Sequence, residues 1–171
     1  SFRVRLARVY VRTFNNGKVH DMTRLLIRQA QCIATQDDAQ TELHDASLVI
    51  EDGRIAHILP AGTPLDAWLS PGAVDEVLDA RHHVVIPGMV NTHHHMVQCL
   101  TRAIPGVQNA ELFSWLQGLY PIWAGLTPEM VRVATQIAMA ELLLSGCTTS
   151  SDHLYIYPNG VRLDDSIDGA R

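Results

Sequence analysis

His93 and His95 stand one residue apart in the run His93-His94-His95. Imidazole nitrogens are preferred zinc ligands, and a zinc site needs donors that converge on one point. Side chains two apart on an extended chain project to the same side, so His93 and His95 point together and His94 points away. The outer two are therefore the candidate metal ligands. Three adjacent histidines also arise by chance on exposed loops, the reading that suits His82-His83. What separates the two cases is the element that delivers the histidines. The stretch Val84 to Thr92 is mostly apolar and reads as a buried strand leading into the cluster. Side chains at the C-terminal end of a buried parallel strand face the active site in βα barrels.

The neighbouring elements fit that placement. After Pro87-Gly88 the order is strand to Thr92, a short helix over 109–119, a second helix from Thr127 to about Ser145, and a strand at 147–151 ending in Asp152-His153. Strand, helical connection and strand imply a parallel pair. The short helix carries Leu112, Trp115, Leu116 and Leu119 on one side. Thr127-Pro128-Glu129 is a helix start, with Thr as cap, Pro at the first helical position and Glu at the positive end of the dipole. In the second helix Met130, Val133, Ala134, Ile137, Ala140 and Leu144 fall on one stripe, and Gly146 is the expected stop.

Residues 22–86 read as a small β-rich unit. Two strands flank Asp52-Gly53, a strong hairpin signal, and further short strands fall at 24–35, 76–80 and 83–86. Pro60 to Gly72 reads as loop with weak helical content. Residues 1–21 are rich in arginine and hold one acid, Asp21. They read as a non-native extension before a natural start at Met22, the alternative being an organelle transit peptide.

Composition excludes other classes. The chain has 171 residues, 47% of them hydrophobic, and a formal charge of -5, with no basic stripe of the kind nucleic-acid binders carry. No apolar run reaches the ~20 residues that span a bilayer. The three cysteines, Cys32, Cys99 and Cys147, are far apart, which argues against a disulfide framework and for a reducing, cytoplasmic setting. Cys99 and Cys147 read as small buried residues. HExxH, GxSxG, P-loop and GxGxxG signatures are absent, and so is the paired HxE and PCxxC pattern of one class of zinc hydrolase.

Pro87-Gly-Met-Val-Asn-Thr-His-His-His95 resembles the PG-hydrophobic-V-[ND]-x-H-x-H signature of the amidohydrolase superfamily. Asp52-Gly-Arg-Ile55, Leu112-Phe-Ser-Trp-Leu116, Leu126-Thr-Pro-Glu129 and Ser145-Gly-Cys-Thr-Thr149 resemble segments of its aminohydrolase branch, which includes guanine deaminases and triazine hydrolases. The string Asn91 to Pro128 most resembles bacterial 8-oxoguanine deaminases. The resemblance covers roughly residues 22–171. It implies an α/β fold: the start of a metal-dependent (β/α)8 barrel over 87–171, incomplete here because such a barrel takes about 250 residues. The N-terminal part of a β-sandwich domain, 22–86, would precede it.

The same resemblance implies one divalent metal ion, most often zinc, held by His93 and His95 together with a histidine and an aspartate from later strands. The acid–base residues also lie on later strands, so no catalytic residue is expected in this chain. Gln98, at HxHxxQ spacing, resembles a glutamine that hydrogen-bonds the purine in guanine deaminases, against the plain reading of a surface or helix-start residue. Trp115 resembles a pocket-lining tryptophan, against plain helix packing. Asp152 and His153 match no metal position. The implied activity is hydrolytic deamination of a purine-type heterocycle, 8-oxoguanine to urate and ammonia, in the intact protein. The alternatives are hydrolysis of an s-triazine or another aminoheterocycle, and an inactive truncated chain. A small heterocyclic substrate, no nucleic-acid or membrane partner, and a homo-oligomer of the intact protein complete the expectation.

Overall fold

A computed structural model describes residues 24–171 in full and, before them, the backbone of three strands: β1 (Phe2–Arg5), β2 (Arg12–Asn15) and β3 (Lys18–Asp21). The expectation that 1–21 is a non-native extension lies outside the fully described residues. The chain divides into two compact units, residues 7–87, and residues 88–171 together with 1–6.

In the first unit, β4 (Arg24–Ala30), β5 (Cys32–Ala34), β6 (Glu42–Leu43), β7 (Ala46–Glu51), β8 (Arg54–Leu59), β9 (Glu76–Asp79) and β10 (Val84–Val85) build two sheets. Their orders are β8-β7-β4-β9 and β10-β5-β6. The β7–β8 hairpin turns at Asp52 (φ 47°) and Gly53 (φ 73°), the positive-φ pair that a two-residue hairpin favours. The stretch expected as one strand over 24–35 breaks at Gln31. Just before the break the β4 register shifts between Ile27 and Ala30, where Gln29 sits at φ 52° and donates its backbone N–H to Ser47 Oγ at 2.9 Å. Leu26 and Val49 are fully buried, and Ala30, Ile33, Ala46, Leu48 and Ala80 form an alanine-rich core drawn from both sheets. The helical content between Pro60 and Gly72 is one turn, α1 (Asp66–Leu69).

In the second unit, β11 (Met89–Asn91) pairs in parallel with β12 (Cys147–Asp152), as strand-helix-strand order requires. β1 pairs antiparallel with the other edge of β12. Between the parallel strands run 3-10 turns at Met96–Thr101 and Pro105–Val107, then α2 (Leu112–Trp123) and α3 (Pro128–Leu144). A further helix, α4 (Leu163–Gly169), follows β12. Thr127 caps α3 by accepting from Met130 N at 3.3 Å, and Gly146 (φ 84°) follows its end. Trp123 is the largest fully buried side chain; its indole N–H donates to Thr101 Oγ1 at 3.1 Å, and Val97, Leu119, Leu126, Val131 and Leu154 surround it.

Three expectations need correction. The apolar stretch Val84–Thr92 is not one buried strand. It breaks at Pro87-Gly88 into β10, which joins the first unit, and β11, in which Met89 and Val90 are exposed. Proline has no N–H to give a ladder and favours such a break. The short helix begins and ends later than 109–119, at Leu112–Trp123, with Pro121 inside its last turn; Leu119 is buried but Leu112 is exposed. The buried stripe of α3 is Val131, Ala134, Thr135, Ala138 and Met139, whereas Met130, Ile137 and Leu144 are exposed. The helix is apolar on two sides. Sequence periodicity cannot say which side meets the α4 and 3-10 segments that pack on it.

Gly169 shows how tightly α4 is seated. A Cβ there would lie 2.5 Å from the carbonyl oxygen of Arg132 and 2.9 Å from Thr135 Cβ. Gly169→Ala should cost about 2 kcal/mol, the range for overpacking against backbone that cannot yield. Chemical denaturation measures it, and an unchanged midpoint would show that α4 is not docked as described.

Candidate metal centre

β11 ends at Asn91, and residues 92–95 carry no regular secondary structure before a 3-10 turn begins at Met96. Asn91 Oδ1 accepts from His93 N at 3.1 Å, steadying the exit. His93 and His95 turn to the same side. Their Nε2 atoms lie 3.0 Å apart, with ring planes at 79°. The C-terminal end of β12 supplies the support. His153 N donates to His94 O at 2.8 Å, and His95 Nδ1 lies 2.8 Å from His153 O. Only an N–H can satisfy a carbonyl, so Nδ1 of His95 carries the hydrogen and its Nε2 presents a lone pair toward His93. The His153 ring stacks on His93 with centroids 4.6 Å apart and planes 18° apart.

Two imidazole nitrogens at this separation can share one N–H···N hydrogen bond or one cation. Tetrahedral zinc, with Zn–N bonds of 2.0–2.1 Å, sets two nitrogen ligands about 3.3 Å apart. The observed spacing, the fixed tautomer of His95 and the carbonyl behind it all fit a metal-bound pair. Among the described residues no third ligand atom lies within 4.8 Å of both, the stacked His153 included; the one three-member group of ligand atoms is Cys32, Glu42 and His44.

Asp152 is almost wholly buried, one residue before His153. Its Oδ1 accepts from Met96 N at 3.0 Å and its Oδ2 from Ser166 Oγ–H at 2.7 Å. Ser166 Oγ lies 3.0 Å from Thr135 Oγ1 in α3. This buried polar chain ties the residue that follows His95 to α4 and α3. Spacing alone offered no hint of it, because its members are scattered between 96 and 166.

A cavity of about 340 Å³ opens beside the histidines, lined by His93, His94, His95, Gln98, Cys99, Thr101, Arg102 and Trp115. Gln98 is one of the lining residues, and its Nε2–H donates to Tyr155 Oη at 2.9 Å. Trp115 lines the same cavity while packing edge-on against Trp123 at 5.4 Å. Tyr155, absent from the sequence expectations, stands edge-on to His95 at 5.1 Å; burial pushes its phenol pKa up. Its signal was position: it lies two residues beyond His153, past the end of β12. Arg102 is engaged by the Glu141 carboxylate. Cys147 is buried as expected, but Cys99, expected to be buried too, is only half-buried and lines the cavity; burial still raises its thiol pKa, and the thiol donates to Ala134 O at 3.3 Å.

A parallel strand pair that brings histidines and a buried aspartate to the same end defines a class, and comparison with known proteins identifies it. The chain belongs to the amidohydrolase family, whose model matches residues 84–169. It is 49% identical over 148 residues to 8-oxoguanine deaminase of Pseudomonas aeruginosa, covering 86% of this chain and 30% of that protein. It is 33% identical to hydroxydechloroatrazine ethylaminohydrolase of Pseudomonas sp. strain ADP, covering 80% of this chain and 29% of that protein. The zinc complex of atrazine chlorohydrolase from Arthrobacter aurescens TC1 superposes with a TM-score of 0.72 at 27% identity, over 85% of this chain and 33% of that one. The chain thus spans about 30% of the length of the curated relatives it matches. No described helix is long and apolar enough to cross a membrane.

Proposed function

We propose that the intact protein is a metal-dependent hydrolytic deaminase of a purine-type heterocycle, with 8-oxoguanine as substrate and urate and ammonia as products. The observation that carries the reading is the convergence of His93 and His95 Nε2 at 3.0 Å beside a cavity containing Gln98. The 49% identity to an 8-oxoguanine deaminase supports the choice of substrate. In the same reading β11, α2, α3 and β12 open a (β/α)8 barrel, and the two sheets built from β4 to β10 within residues 22–86 are the N-terminal part of a β-sandwich domain.

His93 Nε2 and His95 Nε2 would hold one divalent metal ion, zinc by the donor set, which when bound supplies activation of water for attack on the ring carbon bearing the amine. His95 is oriented for this by the carbonyl of His153, and His93 by the stacked His153 ring. Gln98 offers an amide donor and acceptor, which suits a purine lactam edge. Tyr155 holds that amide in place, and Trp115 gives the ring an aromatic wall. A catalytic zinc site takes about three protein ligands, so this chain's two imidazoles need partners from other residues of the intact protein. The 171-residue chain alone is expected to release no ammonia.

The test is ammonia release by the full-length protein from 8-oxoguanine, guanine and an amino-s-triazine. The highest kcat/KM should fall to 8-oxoguanine. Preference for the triazine would transfer the protein to the second reading, which the structural likeness to a triazine hydrolase favours. Turnover of a cyclic amide with none of the three heterocycles would defeat both. Gln98→Ala should raise KM for the purine about tenfold, the effect of losing a hydrogen bond or two worth roughly 1.4 kcal/mol, with metal content unchanged. Steady-state kinetics with metal analysis decides it.

A further inference from the structure

Away from the histidine pair, within the unit of residues 7–87, a second set of ligand-type side chains gathers on the β5–β6 ladder. The antiparallel register pairs Ile33 with Leu43 and Ala34 with Glu42. Ile33 is buried and Leu43 half-buried in the alanine-rich core. Alternation along each strand then puts Cys32, Glu42 and His44 on the opposite, outer face. One ligand atom from each of the three lies within 4.8 Å of the other two. His44 Nε2 is 3.6 Å from Glu42 Oε2.

The orientation of His44 is the telling detail. Its Nδ1 lies 3.1 Å from the carbonyl oxygen of Gln31, the residue before Cys32. Nδ1 therefore carries the hydrogen in the neutral ring, and Nε2 presents its lone pair on the side of Glu42. Metal-bound histidines are held in this way, with the non-ligating N–H given to a backbone carbonyl. A simple exposed Glu42–His44 ion pair would explain two of the three groups but not the thiol within 4.8 Å of both. Cys32 is a free cysteine, half-buried, and so open to an ion from solution.

We propose that Cys32, Glu42 and His44 form a binding site for a borderline-soft divalent cation of the zinc type, with water completing the tetrahedron. Thiolate, imidazole and carboxylate are a zinc donor set; magnesium and calcium take oxygen ligands and would pass this site by. The ion would clamp the β5–β6 ladder, whose strands are only three and two residues long. The site depends on no residue of the proposed deaminase centre, so its fate and that of the deaminase reading are separable.

Cobalt(II) titration of the 171-residue chain tests it, with His93→Asn and His95→Asn introduced to silence the histidine pair. One equivalent should produce a thiolate-to-cobalt charge-transfer band in the near ultraviolet, and zinc should displace it. Cys32→Ser should abolish the band while Cys99→Ser keeps it. Glu42→Gln and His44→Gln, exposed changes that leave the core untouched, should each weaken binding about tenfold or more. Zinc should also slow alkylation of Cys32. The proposal fails if no band forms at one equivalent, if the band survives Cys32→Ser with the circular dichroism unaltered, or if magnesium protects Cys32 as well as zinc does.

Discussion

If the proposed reading holds, replacing His93 with alanine in the intact protein should abolish binding of the proposed metal ion and lower deaminase turnover by a factor of about a thousand or more. The argument is one of ligand number. A catalytic zinc is held by about three protein ligands, and removing a ligand is more severe than removing one of its outer supports, which already costs 10–100-fold. His95→Ala should act as strongly, since its Nε2 meets that of His93 at 3.0 Å. Neither change should unfold the protein. His93 is exposed, and its ring meets the rings of His95 and His153. Metal analysis, ammonia release and circular dichroism on the same samples decide the matter. A His93→Ala protein that keeps its metal and its turnover would remove the histidine pair from the mechanism.

Asp152→Ala should cost stability instead, by about 3–5 kcal/mol. The carboxylate is 1% exposed and accepts two hydrogen bonds, from Met96 N at 3.0 Å and Ser166 Oγ–H at 2.7 Å. Hydrogen bonds to a charged group are worth roughly 1.5–3 kcal/mol each, and alanine would leave a buried N–H and a buried hydroxyl without that partner. Asp152→Asn should be milder, about 1–2 kcal/mol. Its amide oxygen can still serve Met96 N, and the Ser166 hydroxyl can turn to accept from the amide nitrogen. Urea unfolding of the three proteins measures the order, and an Ala variant as stable as the parent would show that the carboxylate carries no tether.

The parts legible in the sequence were those governed by neighbours along the chain. Asp52-Gly53 announced a positive-φ turn, Thr127-Pro128 a capped helix start, and Gly146 its stop, because each follows from local sterics and capping. The spacing of His93 and His95 was equally local, and the structure brings their nitrogens together; His94, expected to point away, nevertheless lines the same cavity, because residues 92–95 lie beyond the end of the strand. What stayed hidden was decided at long range. The Asp152–Ser166–Thr135 chain joins three elements, and nothing in the order of those residues distinguishes them from surface polar groups. Periodicity showed that α3 is apolar but not which of two stripes would be covered. Val84–Thr92 looked like one strand because apolar residues flank Pro87-Gly88 on both sides, yet the two halves join different sheets. Cys32, Glu42 and His44 are brought together by a hairpin register that a list of metal-binding spacings does not contain.

The uncovered stripe of α3 has a practical consequence. With Met130 and Ile137 nearly half exposed, Leu144 90% exposed and Phe113 78% exposed, the isolated polypeptide carries wet apolar area on its second unit. Attraction between such surfaces is entropic near room temperature and weakens on cooling. Purification of the 171-residue chain should therefore yield more dispersed protein in the cold room than on the bench, and ammonium sulfate should bring it down early.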